Sequence, residues 1–359
     1  MPGTSLPPLV PQRVQDRLDV VSAYNMLRRL ETTILAEIDH ATSSVVTDVD
    51  LMYCRIVGHF FHHVPSDRGL GNLVREVGST NGDRQKLLDV GKLYYDHAFR
   101  LSICKRTDSF AISSSFSPII QYRGRNDQEH AGRGLNEPRD SKEKGVLKAL
   151  VRDGFRCVIS GRYDRESVRR SRVLDETPGI EVTETECAHI LSESTNVVGI
   201  GEGSSKTDYA PSAWAVLSRF GSREILPKEL NGRMVHRLEN VITMCHDAHC
   251  LFDRLEMWLG PTDTENVYNV RAIYPRDLVG YQQVITFNTD NPRALPVPSR
   301  EYLVLHAACA KVAHLSAATE YMDSVIREIK ETLVLSSDGA SAAVLEHAIW
   351  TAQRELVPV

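Results

Sequence analysis

Three residues near the middle of the chain have side chains that could take part in hydrolysis: His189, Asn240 and, nine positions after the asparagine, His249. Apolar and polar residues alternate cleanly over residues 180–191, which predicts a strand. In this register His189 lies on the polar side of the strand, whereas a core histidine would share the side of the valine and isoleucine residues. A neutral imidazole has an ordinary pKa of about 6.5 and is a suitable general base at cellular pH.

The spacing of these residues limits the local structure that can hold them. Phosphodiester hydrolysis requires a base that activates water, a divalent cation that neutralises charge on the phosphate and the leaving oxygen, and a rigid frame that holds both. The separation of Asn240 from His249 allows a strand end, a turn and the first turns of a helix. We therefore expect a second strand over residues 240–244 and a helix over residues 245–255.

This stretch resembles the HNH nuclease family, most closely the branch that reads C…G…AHI…N…H-x-x-FD. The residues that match the branch are Cys157 and Gly161, then Ala188, His189 and Ile190, then Asn240, and finally His249, Phe252 and Asp253. The likeness extends over roughly residues 153–258, under a third of the chain. It implies a ββα-metal core, in which two strands are followed by a helix.

The resemblance also implies a role for each residue of the motif. In the family the strand histidine is the general base, so His189 is expected to activate water. Asn240 matches the asparagine that fixes the loop and orients this base. His249 matches the helix residue that ligates the metal, which we expect to be Mg²⁺ or Mn²⁺.

One departure from the family pattern concerns the second metal ligand. Many HNH nucleases carry an acidic residue or a histidine directly before the catalytic histidine, where this chain has Ala188. Alternation places the nearby Glu186 on the apolar side of the strand, so His246 and Asp247 at the start of the helix are the expected substitutes. Because Mg²⁺ retains much of its hydration shell, a single protein ligand with water and phosphate oxygens can also hold it.

The cysteines leave a zinc site open as an alternative. The residues that would form it are Cys157, Cys187, Cys245, Cys250, His246 and His249. Structural zinc usually binds short C-x2–4-C knuckles, and Ser160 stands where a knuckle partner of Cys157 would fall. We therefore expect the cysteines to be small buried groups and keep Zn²⁺ as the second cofactor hypothesis.

A local excess of basic residues lies next to the motif. Residues 142–172 contain ten lysines and arginines against four acidic residues. The members expected to contact a phosphate backbone are Lys148, Arg152, Arg162, Arg165, Arg169, Arg170 and Arg172. Such a run attracts nucleic acid, and DNA is expected rather than RNA. A merely solvated face is the alternative, and no segment resembles a helix that reads bases.

The remainder of the chain is expected to be mainly helical. We predict an α+β fold with a helical N-terminal region over residues 1–125, a polar linker over 126–141, an HNH-like domain over 142–275 and a mainly helical C-terminal region over 276–359. An insertion over about 192–235 separates the two halves of the motif. Residues 66–83 are rich in glycine, serine and asparagine, which predicts a loop.

Three histidines close to one another end the helix that is expected over residues 47–63. They are His59, His62 and His63. Histidines in a last helical turn are favoured by the helix dipole, so we expect exposed side chains. A metal site is the alternative.

Composition and charge narrow the class of protein. The net charge of −5 excludes a basic nucleic-acid coat, so any nucleic-acid binding must be local. The seven cysteines are scattered, which is typical of a reducing, intracellular setting, cytoplasmic or nuclear. No apolar run reaches the roughly 20 residues that cross a bilayer. The sequence therefore predicts a metal-dependent nuclease, with a non-catalytic binding module and a zinc-stabilised interaction domain as rivals.

Overall fold

The computed structural model describes residues 3–40, 45–99, 141–171, 178–191, 219–220, 230, 232–331 and 345. Its first helices form where apolar side chains recur every three or four positions. They are α1 (Leu18–His40), α2 (Val45–His63), α3 (Asp67–Ser79) and α4 (Arg84–Tyr94). One turn of π-helix (Tyr95–Phe99) follows α4 directly.

Helix α3 occupies the stretch that was expected to be a loop, so that prediction is wrong. The hydroxyl of Ser66 accepts a hydrogen bond from the Gly69 N–H at 2.9 Å and caps the helix N-terminus. A buried apolar stripe on α3 then outweighs the weak helix propensity of its glycines. The stripe consists of Leu70, Leu73, Val74 and Val77.

The segment before α1 is held by buried polar groups of α1 and α2. The Glu31 carboxylate accepts the N–H of Leu6 at 3.1 Å and pairs with Arg55 at 2.8 Å. The guanidinium of Arg55 donates to the carbonyl of Gly3 at 3.0 Å. His59 is buried, so it is not one of the exposed histidines that were expected.

The motif folds as a β-hairpin followed by a helix. Strand β3 (Thr185–His189) pairs antiparallel with β4 (Val241–Cys245), and His189 stands opposite Val241. Helix α7 (His246–Asp253) begins at the residue after β4. Two helices precede the motif: α5 (Ser141–Arg152) and α6 (Arg165–Arg170). The predicted α+β class is confirmed, with helical regions on both sides of the motif in the sequence.

The remaining strands form two small sheets. β1 (Tyr163–Asp164) and β2 (Val182–Thr183) pair in parallel, and the segment over 155–161 is mostly a turn that leads into β1. The antiparallel sheet contains β5 (Met257–Pro261), β6 (Val267–Ala272) and β7 (Val284–Thr286). Helices α8 (Arg300–Leu315) and α9 (Ala318–Glu331) follow.

The chain divides into two compact units, each built from separate stretches. The helical unit comprises residues 1–104, 192–228 and 304–359, and the mixed unit comprises residues 105–191 and 229–303. The mixed unit continues past the domain end expected at 275 because β7 pairs with β6. Residues 126–140 of the expected linker lie outside the described residues, and Ser141 begins α5.

Most of the expected insertion over about 192–235 also lies outside the described residues. Phe220 is described and belongs to the core of the helical unit. Its ring centroid lies 4.5 Å from that of Phe60 and 5.1 Å from that of Tyr94. Part of the segment between the two motif halves therefore packs in the helical unit. In the described part of the chain, no helix combines the length and apolar character needed to span a bilayer.

Candidate active site

Helix α5 is tied to the hairpin by Arg152, one of the residues predicted to contact phosphate. Its guanidinium donates to the carbonyls of Leu238 at 2.6 Å and Val241 at 2.8 Å, and it pairs with Asp153 at 2.8 Å. Asp153 in turn accepts the backbone N–H of Thr243 at 2.9 Å. Because the Arg152 side chain is fully buried, its prediction as a phosphate contact is wrong.

Asn240 is fully buried and joins three backbone segments. Its amide oxygen accepts the N–H of Leu191 at 2.9 Å. Its amide nitrogen donates to the carbonyls of Leu191 and Val235, both at 2.9 Å. The side chain therefore fixes the backbone just beyond His189 to the turn that leads into β4. A buried amide with its hydrogen bonds satisfied is expected to give such a turn one well-defined geometry.

His189, at the end of β3, faces a second histidine that the sequence analysis did not single out. Its Nε2 lies 2.9 Å from Nδ1 of His236, and the ring centroids are 5.1 Å apart. His236 ends a short 3-10 helix (Gly232–His236). The sequence feature that could have pointed to His236 is its position four residues before Asn240, on the segment that the asparagine holds.

A carboxylate joins the two predicted metal-binding histidines of α7. Glu186 presents one oxygen to Nδ1 of His246 at 2.9 Å and the other to Nδ1 of His249 at 2.6 Å. Nε2 of His249 lies 3.3 Å from the Asp253 carboxylate, one helical turn further on. The structure thus brings His246 and His249 together with two acidic residues that the sequence analysis did not assign to the site.

Glu186 occupies a different environment from the one expected. Alternation gives it the same side of β3 as Ala188, and Ala188 is indeed buried. The Glu186 side chain, however, is 43% exposed and reaches α7. Hydrogen bonds from His249 and then His246 lower the pKa of Glu186 to about 2, so the carboxylate is charged at neutral pH.

The donor types at this cluster suit a divalent cation. One carboxylate and two imidazole nitrogens converge, and Mn²⁺ accepts both kinds of ligand. Among the residues that the structure describes, no group of three or more His, Cys, Asp or Glu side chains is already arranged around a metal position. The short contacts of Glu186 are hydrogen bonds that an ion would replace. Asp247, the other predicted substitute ligand, is exposed in the first turn of α7.

The cysteines near the motif have thiol and histidine partners. The thiols of the buried Cys157 and Cys245 hydrogen-bond to each other, which lowers the pKa of Cys157 and raises that of Cys245. Cys250 Sγ lies 3.5 Å from Nε2 of His246. Within the described residues these contacts form pairs, not a set of four ligands as structural zinc requires.

The predicted basic residues fall into four groups. Arg152 is buried, Arg172 lies outside the described residues, and Lys148 is exposed on α5. The other arginines are at least partly exposed but lie near glutamates. Their pairs are Arg162–Glu181 at 2.9 Å, Arg165–Glu184 at 2.7 Å, Arg170–Glu166 at 2.8 Å and Arg169–Glu166 at 3.8 Å. The positive charge is therefore partly neutralised.

A comparison with models of protein families matches residues 157–258 to the HNH endonuclease family. The matched region begins at Cys157, contains the hairpin and α7, and ends in β5. It agrees with the extent of the resemblance predicted from the sequence. The match indicates a nuclease or a nucleic-acid-related function. Searches of curated proteins and of solved structures returned no match.

Proposed function

Residues 157–258 are an HNH endonuclease-like region, and on this premise we propose that the protein hydrolyses nucleic-acid phosphodiester bonds with the help of a divalent cation. The observation that carries the proposal is the convergence of Glu186, His246 and His249 at the start of α7, next to the hairpin that bears His189. An ion held by this cluster and an imidazole at the end of the same strand would supply the two main needs of phosphodiester hydrolysis.

The proposed general base is His189. Because its Nε2 is engaged by His236, Nδ1 is the nitrogen assigned to take a proton from water. The water oxygen then attacks phosphorus, and the bond from phosphorus to the leaving oxygen breaks. Asn240 contributes by holding the backbone beyond β3, so that the imidazole keeps a constant position.

The proposed ligands are His249, Glu186 and His246. A bound Mg²⁺ or Mn²⁺ would neutralise charge on the scissile phosphate and the leaving oxygen. Asp253, 3.3 Å from Nε2 of His249, would hold that ring with Nδ1 directed at the ion. Carboxylates commonly orient metal-binding histidines in this way. Glu186 thus replaces the ligand that the family pattern places at Ala188.

Nucleic acid is the proposed substrate, and DNA is proposed over RNA. The proposed phosphate contacts are the basic residues next to the motif that are not buried: Lys148, Arg162, Arg165, Arg169 and Arg170. The glutamates that pair with four of them would compete with phosphate. We therefore expect moderate, salt-sensitive binding without base specificity.

A binding module without catalysis is the second candidate. Two observations favour it: Ala188 stands at the usual position of a ligand, and Glu186 satisfies its histidines directly by hydrogen bonds. Such a protein would keep the fold and the basic surface while lacking a tightly held ion.

Cleavage of supercoiled plasmid DNA in Mn²⁺, with parallel reactions in EDTA, separates the two candidates. The parent should cleave in Mn²⁺ alone, and His189→Ala should cleave about 10²- to 10⁴-fold more slowly, as expected on loss of a positioned base. His40→Ala, at an exposed histidine of the helical unit, is the matched control and should cleave like the parent. A parent that binds duplex DNA but never cleaves it is a binding module. Equal rates for His189→Ala and parent would refute the assignment of the base.

A further inference from the structure

We infer that His236 is a positioning residue that fixes which nitrogen of His189 carries the proton. The inference deepens the proposed function and rests on it. The contact joins Nε2 of His189 to Nδ1 of His236 at 2.9 Å, which is hydrogen-bonding distance. In a pair of neutral imidazoles, one of these two nitrogens must donate and the other must accept.

Only one of the two arrangements leaves His189 able to act as a base. If Nε2–H of His189 donates to His236, then Nδ1 of His189 is unprotonated and can accept a proton from water. If His236 donates instead, the proton of His189 stands on Nδ1 and the base is blocked. The inference therefore assigns Nε2–H to His189 and an unprotonated Nδ1 to His236.

The same hydrogen bond favours the charged form of His189. When the base has taken its proton, Nε2–H belongs to an imidazolium and donates more strongly to His236. The imidazolium formed during the reaction is thereby stabilised relative to the neutral ring. His236 acts in this way without touching substrate.

The backbone on both sides holds the histidine pair in place. Asn240 binds Leu191, two residues beyond His189, and the carbonyl of Val235, directly before His236. A single buried side chain thus positions both rings.

Helix α5 supports His236 from a second direction. A Cβ at Gly145 would lie 2.6 Å from the carbonyl oxygen of His236, so α5 can approach this closely only because Gly145 lacks a side chain. Gly145→Ala should push the His236 backbone away without altering either histidine side chain.

Three substitutions of His236 test the assignment atom by atom. The amide of Asn can place an acceptor near the position of Nδ1, whereas the amide of Gln reaches toward Nε2. His236→Asn should therefore retain most activity, and His236→Gln and His236→Ala should lower kcat by about 10- to 100-fold, as is typical when a group that orients an active-site side chain is removed. KM for the duplex should stay unchanged, because His236 contacts no substrate.

Nitrogen-15 NMR of the histidine rings gives a readout that does not depend on cleavage. In the parent and in His236→Asn, His189 should be the Nε2–H tautomer, with its signals assigned by their loss in His189→Ala. In His236→Ala both tautomers should be populated. Gly145→Ala should shift the tautomer balance, while Gly71→Ala, where a Cβ meets nothing within 4 Å, should not.

The two readouts separate failure of this inference from failure of the proposed function. A protein that never cleaves but shows the expected tautomer changes keeps the positioning role and loses the nuclease assignment. Unchanged kcat and an unchanged tautomer in His236→Ala would overturn the inference. Equal losses in His236→Asn and His236→Gln would overturn it too, because the effect would not depend on Nδ1.

Discussion

Histidines and charged residues cluster in both units of the chain, but their partners differ. In the helical unit His59 is buried and its Nε2 lies 2.9 Å from the carbonyl of Thr4. In the mixed unit His246 and His249 face the half-exposed carboxylate of Glu186. A histidine beside a buried carbonyl serves the structure, whereas histidines around an accessible carboxylate are the proposed site for an ion.

Burial also gives the histidines of α2 and the cluster around Glu186 different charge states. Desolvation lowers the pKa of His62 and His63 to about 4, so both rings are neutral at cellular pH. In the mixed unit the lowered pKa belongs to the carboxylate of Glu186 instead, which remains charged. Residue type alone therefore does not identify a metal or catalytic site, whereas the partner of each side chain and its access to solvent do.

Arginines repeat the same contrast. Arg55 of the helical unit and Arg152 of the mixed unit are both buried, and each binds a carboxylate and at least one backbone carbonyl. Arg169, by contrast, is 66% exposed. Buried guanidinium groups hold segments together, and the exposed ones are the proposed phosphate contacts.

Removal of the buried Arg152 should have the largest effect on stability. Arg152→Met leaves the buried Asp153 without its ion-pair partner and two buried carbonyls without their donor, so it should lower the free energy of unfolding by about 3–5 kcal/mol. Arg169→Ala, at an exposed position, should change it by less than about 0.5 kcal/mol. Urea unfolding followed by circular dichroism measures both. Equal stabilities would mean that the two arginines do not differ in role.

Metal affinity should depend on the histidines of α7 and not on those of α2. His249→Ala should weaken Mn²⁺ binding at least about tenfold in calorimetric titrations. His62→Ala and Cys250→Ala are the controls and should bind like the parent. If affinity is lost in Cys245→Ala or Cys250→Ala and unchanged in His249→Ala, the zinc alternative becomes the better interpretation.

Acid should destabilise the helical unit through His62 and His63. Their folded pKa of about 4 lies below the unfolded value of about 6.5, so the unfolded chain binds more protons between these values. Their contribution is therefore full above about pH 6.5 and declines as the pH falls towards 4. The double variant His62→Gln, His63→Gln should flatten this part of the stability profile.

Midpoints of urea unfolding, measured from pH 7.5 to pH 4, would give the slope of stability against pH. His40→Gln, at the exposed end of α1, is the matched control and should leave it unchanged. A slope that is equally steep in the double variant would show that these two histidines do not titrate with lowered pKa values.

The smallest expected effect concerns the exposed arginines of α6. If they contact phosphate, each contact contributes about −0.9 to the slope of log K against log salt for duplex DNA. Arg169→Ala with Arg170→Ala should make the slope shallower by up to about twice that amount, and less to the extent that Glu166 already neutralises them. Fluorescence anisotropy on two unrelated duplexes checks this. An identical slope would show that α6 is a solvated face.

The sequence was sufficient to predict those strands and helices whose formation depends on local periodicity. Alternation over 180–191 predicted one strand, which the structure divides at Glu184 into β2 and β3, and the spacing from Asn240 to His249 predicted β4 and α7. Helix α3 was missed because its glycines obscured an apolar stripe that begins after the Ser66 cap. Periodicity is a short-range signal, so it describes elements better than the contacts between them.

Local periodicity could not predict the contacts of the candidate site, because these contacts join residues that are far apart in the sequence. Glu186 meets His246 and His249 across sixty and sixty-three positions, and His189 meets His236 across forty-seven. Arg152 was misassigned because charge in a sequence carries no information on burial. Its role depends on carbonyls that the fold brings together.

Diffraction from crystals soaked in Mn²⁺, with data collected at the manganese absorption edge, tests the contrast between the two units most directly. The expected result is one anomalous peak within coordination distance of His249 and of an oxygen of Glu186. No peak should lie beside His59, His62 or His63. No peak at saturating Mn²⁺, or a peak beside the histidines of α2, would contradict the proposal that accessibility and a carboxylate partner create the metal site.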